Sequence, residues 1–330
     1  MAYPPYLALF GNTLDYAGTF PPAKLPLDEM LAVAARFRQK GAHPWLLAKV
    51  ALPLTDIKTL SVERLHAAGG NGEPWLFTAL AATPAAPANP SEEEGDDDRF
   101  LSSVEFDVRE INRWNEKFFD APLRAAIIGY ETRVPDSAFN NGADGAFELF
   151  APALDRLSDR SVGRIDPWFE IPLADEFRER VDAAAEALSQ WKEDDSDGRV
   201  RPGLKFRTGG EHLPSPDALA FAIVRTAHAG LRFKATQGLH HRVSGGGQYG
   251  FVNVFATLAF ASALGETFTE ELAKRCLLAE TPSAFSFAGD VLKWDKFSLT
   301  VADIEKARQF HGGCFGSCSL DEPDSELKEL

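Results

Sequence analysis

A single (β/α)8 TIM barrel, with an insertion before its eighth strand, is the fold predicted by this sequence, and four observations predict it. Eight short runs have the composition of strands buried on both faces. Most are followed by stretches with apolar residues at three- and four-residue spacing. Neither a GxGxxG after the first strand nor a GxxxxGK[ST] supports the rival, an open doubly wound sheet. The 330 residues also suit one barrel of roughly 250 residues plus insertions.

The eight runs are LALFGNTLDYAG (7–18), WLLAKVALP (45–53), PWLFTALAA (74–82), RAAIIGYETRV (124–134), PWFEIPL (167–173), GLKFRTGG (203–210), LRFKATQGLHH (231–241) and GCFGSCSL (313–320). Each is rich in β-branched, aromatic or aliphatic residues and is bounded by turn formers. Between the third and fourth runs, Phe100, Val104, Val108, Ile111 and Phe118 form a helical stripe. VEFDVRE (104–110) alternates like a strand, but parallel neighbours need a crossover, which decides for helix. Phe147, Phe150, Leu154 and Leu157 mark the next helix. PSPDALAFAIVRTAHAG then opens with Ser215 as N-cap and Pro216 at the first helical position, and closes at Gly230.

The Pro/Ala and acidic run at 83–98 predicts a solvated loop. The insertion, 266–312, contains a helix in TEELAKRCLLAE, a hairpin in FSFAGDVLKWDKFSL and a helix in VADIEKARQF. The acidic tail, 321–330, is expected to be frayed or loosely docked. FVNVFATLAFASALG (251–265) is too short to span hydrocarbon and contains Asn253, so it predicts a buried helix.

A net charge of -15 and a pI near 5.0 oppose nucleic-acid or anionic-membrane binding, because phosphates are repelled over most approaches. A small-molecule partner is expected. The first residues carry no basic segment before a short apolar run, so no secretory signal is read and a cytoplasmic location is expected. Three cysteines, Cys276, Cys314 and Cys318, form no disulfide framework and suit a reducing compartment. No repeat or heptad indicates an oligomeric state.

Function is read from strand phase. In a parallel barrel one face of each strand lies under helices and must be apolar, so charged residues have one way to face. With Leu204 and Phe206 outward, Lys205 and Arg207 point in; with Phe233 and Ala235 outward, so do Lys234 and Thr236. The same rule sends Glu131, Arg133, Glu170 and Lys49 inward. Buried ions must be paired, hydrated or matched to a ligand, and active sites of such barrels lie at the carboxyl ends of the strands. Lys205, Lys234, Glu131 and Glu170 are therefore the catalytic candidates. Arg207, Thr208, Arg133, Thr236, Gln237, His240 and Lys49 are candidates for holding substrate, with Asp15 and Ser317 completing the rim.

A lysine in a desolvated cavity beside another cation has a lowered pKa, and its free amine can attack a carbonyl. Lys205 and Lys234 suggest that arrangement, with Glu131 and Glu170 moving protons and Arg207 binding a carboxylate or phosphate in bidentate fashion. A strand-six lysine followed by a Thr-Gly turn, and a strand-seven lysine followed by a small residue, resemble the layout of deoxyribose-phosphate aldolase. That resemblance implies Lys205 as the imine former and Lys234 as the residue that depresses its pKa. DYAGTFPPA near the start and FGSCSLDEP near the end are similar to a bacterial type of barrel protein, which implies the fold and no activity.

The expected function is thus a Schiff-base, class I aldolase-like lyase acting on a small anionic carbonyl compound without a cofactor. The alternative is a metal-assisted isomerase or lyase using Glu131, Glu170 and His240 with a divalent cation, since carboxylates and neutral imidazoles suit such ions. A non-catalytic ligand-binding barrel is the third reading. VSGGGQYGFVN, a glycine-rich run into a helix, is either an anion site or a plain linker.

Overall fold

The computed structural model of the chain describes residues 4–69, 72–81, 95–160, 164–194 and 200–328. Eight parallel strands close into a barrel: β1 (Leu14–Tyr16), β2 (Leu47–Pro53), β3 (Trp75–Leu80), β4 (Ala125–Arg133), β5 (Asp166–Glu170), β6 (Gly203–Arg207), β7 (Arg232–Thr236) and, after the insertion, β11 (Cys314–Ser317). β11 pairs with β7 on one side and β1 on the other, so no strand edge is left open in the barrel. The three remaining strands, β8 (Phe285–Ser286), β9 (Val291–Trp294) and β10 (Phe297–Thr300), form a separate antiparallel sheet in the insertion.

The strands are shorter than the runs that predict them. LALFGNTLDYAG divides into a helix, Pro5–Phe10, and the three-residue β1. Pro5 opens that helix, and its buried Phe10 packs against Phe251 and Phe255, ring centroids 5.4 and 6.1 Å apart, so an apolar run that reads as strand is partly helical. The helix over 96–119 forms as expected. It buries Phe100, Val104, Val108, Ile111 and Phe118 along one stripe and starts with three aspartates, which favour the positive end of the helix dipole. Asp96, Asp97 and Asp98, expected to end a solvated loop over 83–98, are thus helical, and the part of that loop at 83–94 lies outside the described residues. Ser215 caps the Pro216–His228 helix through the N–H of Ala218.

The apolar helix Phe251–Leu264 is buried from two directions. Phe251 and Phe255 pack on Phe315 of β11, with ring centroids 5.8 and 5.6 Å apart. Its far side meets the insertion, where Phe260 lies 5.7 Å from Phe268 and 6.2 Å from Trp294. Covering by protein on both sides explains a helix without a polar face. Among the described residues, no helix is long and apolar enough to cross a membrane.

The acidic tail is better anchored than its composition suggests. Asp321–Leu327 is a helix. Asp324 accepts hydrogen bonds from the backbone N–H groups of Ala42 and His43 and lies 2.9 Å from His43 Nδ1. Glu322 and Glu326 pair with His240 and His241. Carboxylates that read as solvated charge find donors brought close only by the closed barrel.

Candidate active site at the carboxyl ends of the strands

Inside the barrel the predicted strand phase holds, and charge runs across the axis as an alternating chain. Lys49 lies 3.1 Å from Asp15, which also pairs with Lys234. Lys234 reaches Glu131 at 2.7 Å, and Glu131 binds Lys205 at 2.6 Å. Lys205 then contacts Glu170 at 2.9 Å, and Glu170 accepts from Arg207 Nε at 2.9 Å. Lys205 and Lys234 are directly paired across β6 and β7, so the carboxylate of Glu131 is shared between neighbouring ammonium groups.

The local sequence allows this crowding. Trp168 lies beneath the chain, with the Arg232 guanidinium 4.6 Å from its ring and Lys234 Nζ at 5.7 Å. Gly203 makes room for that ring: a Cβ there would stand 2.5 Å from a Trp168 ring carbon. Toward the amino ends of the strands, Arg232 pairs with Asp166 at 2.6 Å, a second ionic layer below the tryptophan. Thr78 donates to Asp15 at 3.1 Å.

Electrostatics corrects one expectation. Burial lowers the pKa of Lys205, but Glu131 and Glu170 outweigh it, and the result is above the ordinary lysine value. Burial likewise opposes the charge of Lys234, yet Asp15 and Glu131 hold it well above that value. Lys234 therefore does not make Lys205 a free amine, because a carboxylate stands between them. The carboxylates show the mirror image: burial raises Asp15 and Glu131, and the lysines more than compensate, holding each at about 2.

Above Lys205 the barrel opens into two connected cavities. One, of about 540 Å³, is bounded by Phe20, Pro21, Pro22, Ala51 and Leu80 on the β1–β3 side and by Thr236, Gln237, His240, Gln248 and Ser317 on the other. The second, of about 560 Å³, extends over β3–β5 and includes Arg99, Arg133 and Asp136. Glu131, Lys205 and Arg207 line both. A smaller hollow of about 240 Å³ over the end of β5 adds Glu211 and is again flanked by Arg133 and Arg207.

The predicted residues thus divide. Lys205, Glu131, Glu170, Arg207, Arg133, Thr236, Gln237, His240 and Ser317 face these cavities. Asp15 and Lys234 are wholly buried within the ion chain rather than at the rim, and Lys49 lies beside them. Thr208 is also fully buried. Its hydroxyl donates to the Gln237 carbonyl at 2.7 Å, tying the ends of β6 and β7 together instead of facing substrate.

The N–H groups with which the glycine-rich run enters its helix are already engaged at Gly250, Phe251 and Val252. Phe251 and Val252 donate to the carbonyls of His241 and Arg242, and Gly250 donates to Ser244 Oγ. The anion-site reading of that helix start is therefore replaced by a folded turn closed between Gly245 and Gln248. His240 is engaged by Glu322 at 2.7 Å, and Glu131 and Glu170 by lysines. Among the described residues, no group of three or more His, Cys, Asp or Glu side chains is arranged to hold a metal ion.

Phe20, Pro21, Pro22, Gln248 and Trp168 are missing from the sequence-predicted site. Trp168 was findable by phase, since it alternates with Phe169 in the same run as Glu170. The others sit on loops, where no periodicity applies. No protein-family model and no curated protein matches this chain.

Proposed function

We propose that this barrel is an enzyme of carbonyl chemistry, a Schiff-base lyase in which Lys205 reacts with a small anionic carbonyl compound. The observation that carries the reading is Lys205 itself: a lysine only 7% exposed, between two carboxylates at 2.6 and 2.9 Å, on the floor of the cavities at the carboxyl ends of the strands. The layout that resembles deoxyribose-phosphate aldolase supports the same residue as imine former. In the present site Lys234 would position Glu131 rather than depress the pKa of Lys205.

Because Lys205 rests as ammonium, its proton must pass to Glu131 or Glu170 as the nitrogen attacks the carbonyl carbon. The carbonyl oxygen takes a proton to give a carbinolamine, and loss of water leaves a protonated imine. In the cleavage direction, a carboxylate accepts the proton of a β-hydroxyl group. The carbon–carbon bond then breaks toward the iminium, releasing an aldehyde and leaving an enamine. Protonation of the enamine and hydrolysis of the resulting imine return Lys205. Arg207, whose Nε holds Glu170, and Arg133 supply positive charge at the mouth for the anionic group.

Borohydride reduction in the presence of a panel of aldehydes, 2-oxo acids and sugar phosphates, followed by peptide mass mapping, tests the proposal. The expected product is an adduct on Lys205 that Lys205→Ala abolishes; no adduct across the panel overturns it. The raised pKa favours a second reading, an isomerase in which Lys205 stays charged and donates to the carbonyl oxygen while Glu170 removes the neighbouring proton. That enzyme would turn over substrate without a reducible adduct.

A further inference from the structure

We propose that the substrate has two unlike ends: an anionic head bound by Arg133 and Arg207, and an apolar-faced tail laid against Phe20, Pro21 and Pro22, with the carbonyl over Lys205. The inference rests on the carbonyl reading of this site and adds the substrate class to it.

The head is located by charge balance. In the cavity over β3–β5 each carboxylate has a cationic partner: Asp96 pairs with Arg99 and Asp136 with Arg180, both at 3.2 Å, Glu131 with Lys205 and Lys234, and Glu170 with Lys205 and Arg207. Arg133, exposed at the end of β4, has no ion-pair partner among the described residues, and Glu211 is the further carboxylate near it in the adjoining hollow. With Glu211 set against Arg133, the excess lies in the internal chain. Its four cations, Lys49, Lys234, Lys205 and Arg207, face three anions, Asp15, Glu131 and Glu170. Positive charge in surplus, inside a protein of net charge -15, is what an anionic ligand would neutralise. Arg133 and Arg207 stand on either side of β5 and can share one carboxylate or phosphate.

The tail is located by the opposite wall. Pro21 and Pro22 are exposed and Phe20 is half-buried, and all three line the cavity above β1 with Ala51 and Leu80 behind them. The loop that carries them is pinned by three backbone hydrogen bonds, Phe20 to Ala17, Lys24 to Phe20 and Leu25 to Gly18. A preformed apolar wall costs little ordering on binding. Facing it are uncharged Thr236, Gln237, Gln248 and Ser317, with His240 beside them. Among the described residues, the lysine, arginine and carboxylate side chains lining that arm are Lys205, Glu131 and Arg207 at its floor, so a second anionic group on the tail meets no further lysine or arginine.

Calorimetric titration of the intact protein with three 2-oxo acids tests this: pyruvate, 4-phenyl-2-oxobutanoate, and a trihydroxylated 2-oxohexanoate of similar length. The phenyl acid is expected to bind at least about tenfold more tightly than the other two, in line with the discrimination available to an apolar pocket. Phe20→Ser should remove that preference while leaving pyruvate within about twofold, and Arg133→Gln should weaken all three by about tenfold or more. Equal or better binding of the hydroxylated acid, a uniform effect of Phe20→Ser, or no binding of any of the three at millimolar concentration overturns the proposal. Borohydride trapping is read separately. Tail-selective binding without an adduct sinks the Schiff-base reading and leaves the two-ended substrate standing, and adducts without tail selectivity do the reverse.

Discussion

Replacing Glu131 by glutamine strikes the ion chain at its middle. The amide keeps the shape of the side chain and removes the charge, so two buried ammonium groups lose the counter-ion they share at 2.6 and 2.7 Å. Lys205 keeps Glu170 and Lys234 keeps Asp15, which limits the damage. Burial raises the Glu131 carboxyl, but Lys205 and Lys234 hold it at about 2 against an ordinary 4.5. That gap corresponds to about 3 kcal/mol of stability at neutral pH. Breaking a buried pair by removing one member costs roughly 3–5 kcal/mol, the same order.

The sign of the pH dependence follows from the same gap. A carboxyl with a depressed folded-state pKa contributes fully above its unfolded value and loses that contribution as pH falls through the folded one. The difference between wild type and E131Q should therefore be complete at pH 7, begin to shrink near 4.5 and fade toward about 2. Urea denaturation at neutral and at acidic pH, with a common m-value, measures it, and calorimetry at pH 7 should show a melting temperature lower by about 5 °C. A loss under about 1 kcal/mol at pH 7, or one that does not change with acidification, would refute the reasoning, since a buried, paired carboxylate cannot be that inexpensive to remove.

Gly203→Ala should cost about 2 kcal/mol in the same assay, because its Cβ would stand 2.5 Å from the Trp168 ring and 2.8 Å from the Arg232 carbonyl oxygen; an unchanged midpoint would show that the barrel interior yields more easily than its packing implies. Asp324→Ala removes the acceptor for two backbone N–H groups and for His43, so amide exchange over 321–327 should accelerate at least about tenfold while the barrel strands stay protected. Ser215→Ala should cost about 1 kcal/mol by uncapping Ala218 N–H; a change of a few tenths would mean that water replaces the cap.

Much of the site was legible from strand phase alone. Lys205, Lys234, Glu131, Glu170 and Lys49 all face inward as the alternation in their runs requires, because a parallel strand covered by helices cannot leave a charge on its outer side. Phase could not say which opposite charges would touch. It placed two lysines on adjacent strands and led to an expectation that Lys234 depresses the pKa of Lys205, whereas the closed barrel puts Glu131 between them and the pKa of Lys205 is raised. Thr208 shows a related limit: its neighbours suggested a substrate contact, but the approach of the β6 and β7 ends turns its hydroxyl to a carbonyl.

The barrel, its helical crossovers, its insertion and the inward face of its charged strands were written locally, in two-residue and 3.6-residue periods that depend only on near neighbours. Tertiary structure alone decided the rest: the pairing of Asp15 with Lys234 across 219 residues of chain, the docking of the last helix on His43, His240 and His241, and the meeting of Phe20–Pro22 with Lys205 around one cavity. Those contacts arise when the last barrel strand closes against the first, and Coulomb attraction and cavity shape depend on distance through space, which no spacing along the chain encodes.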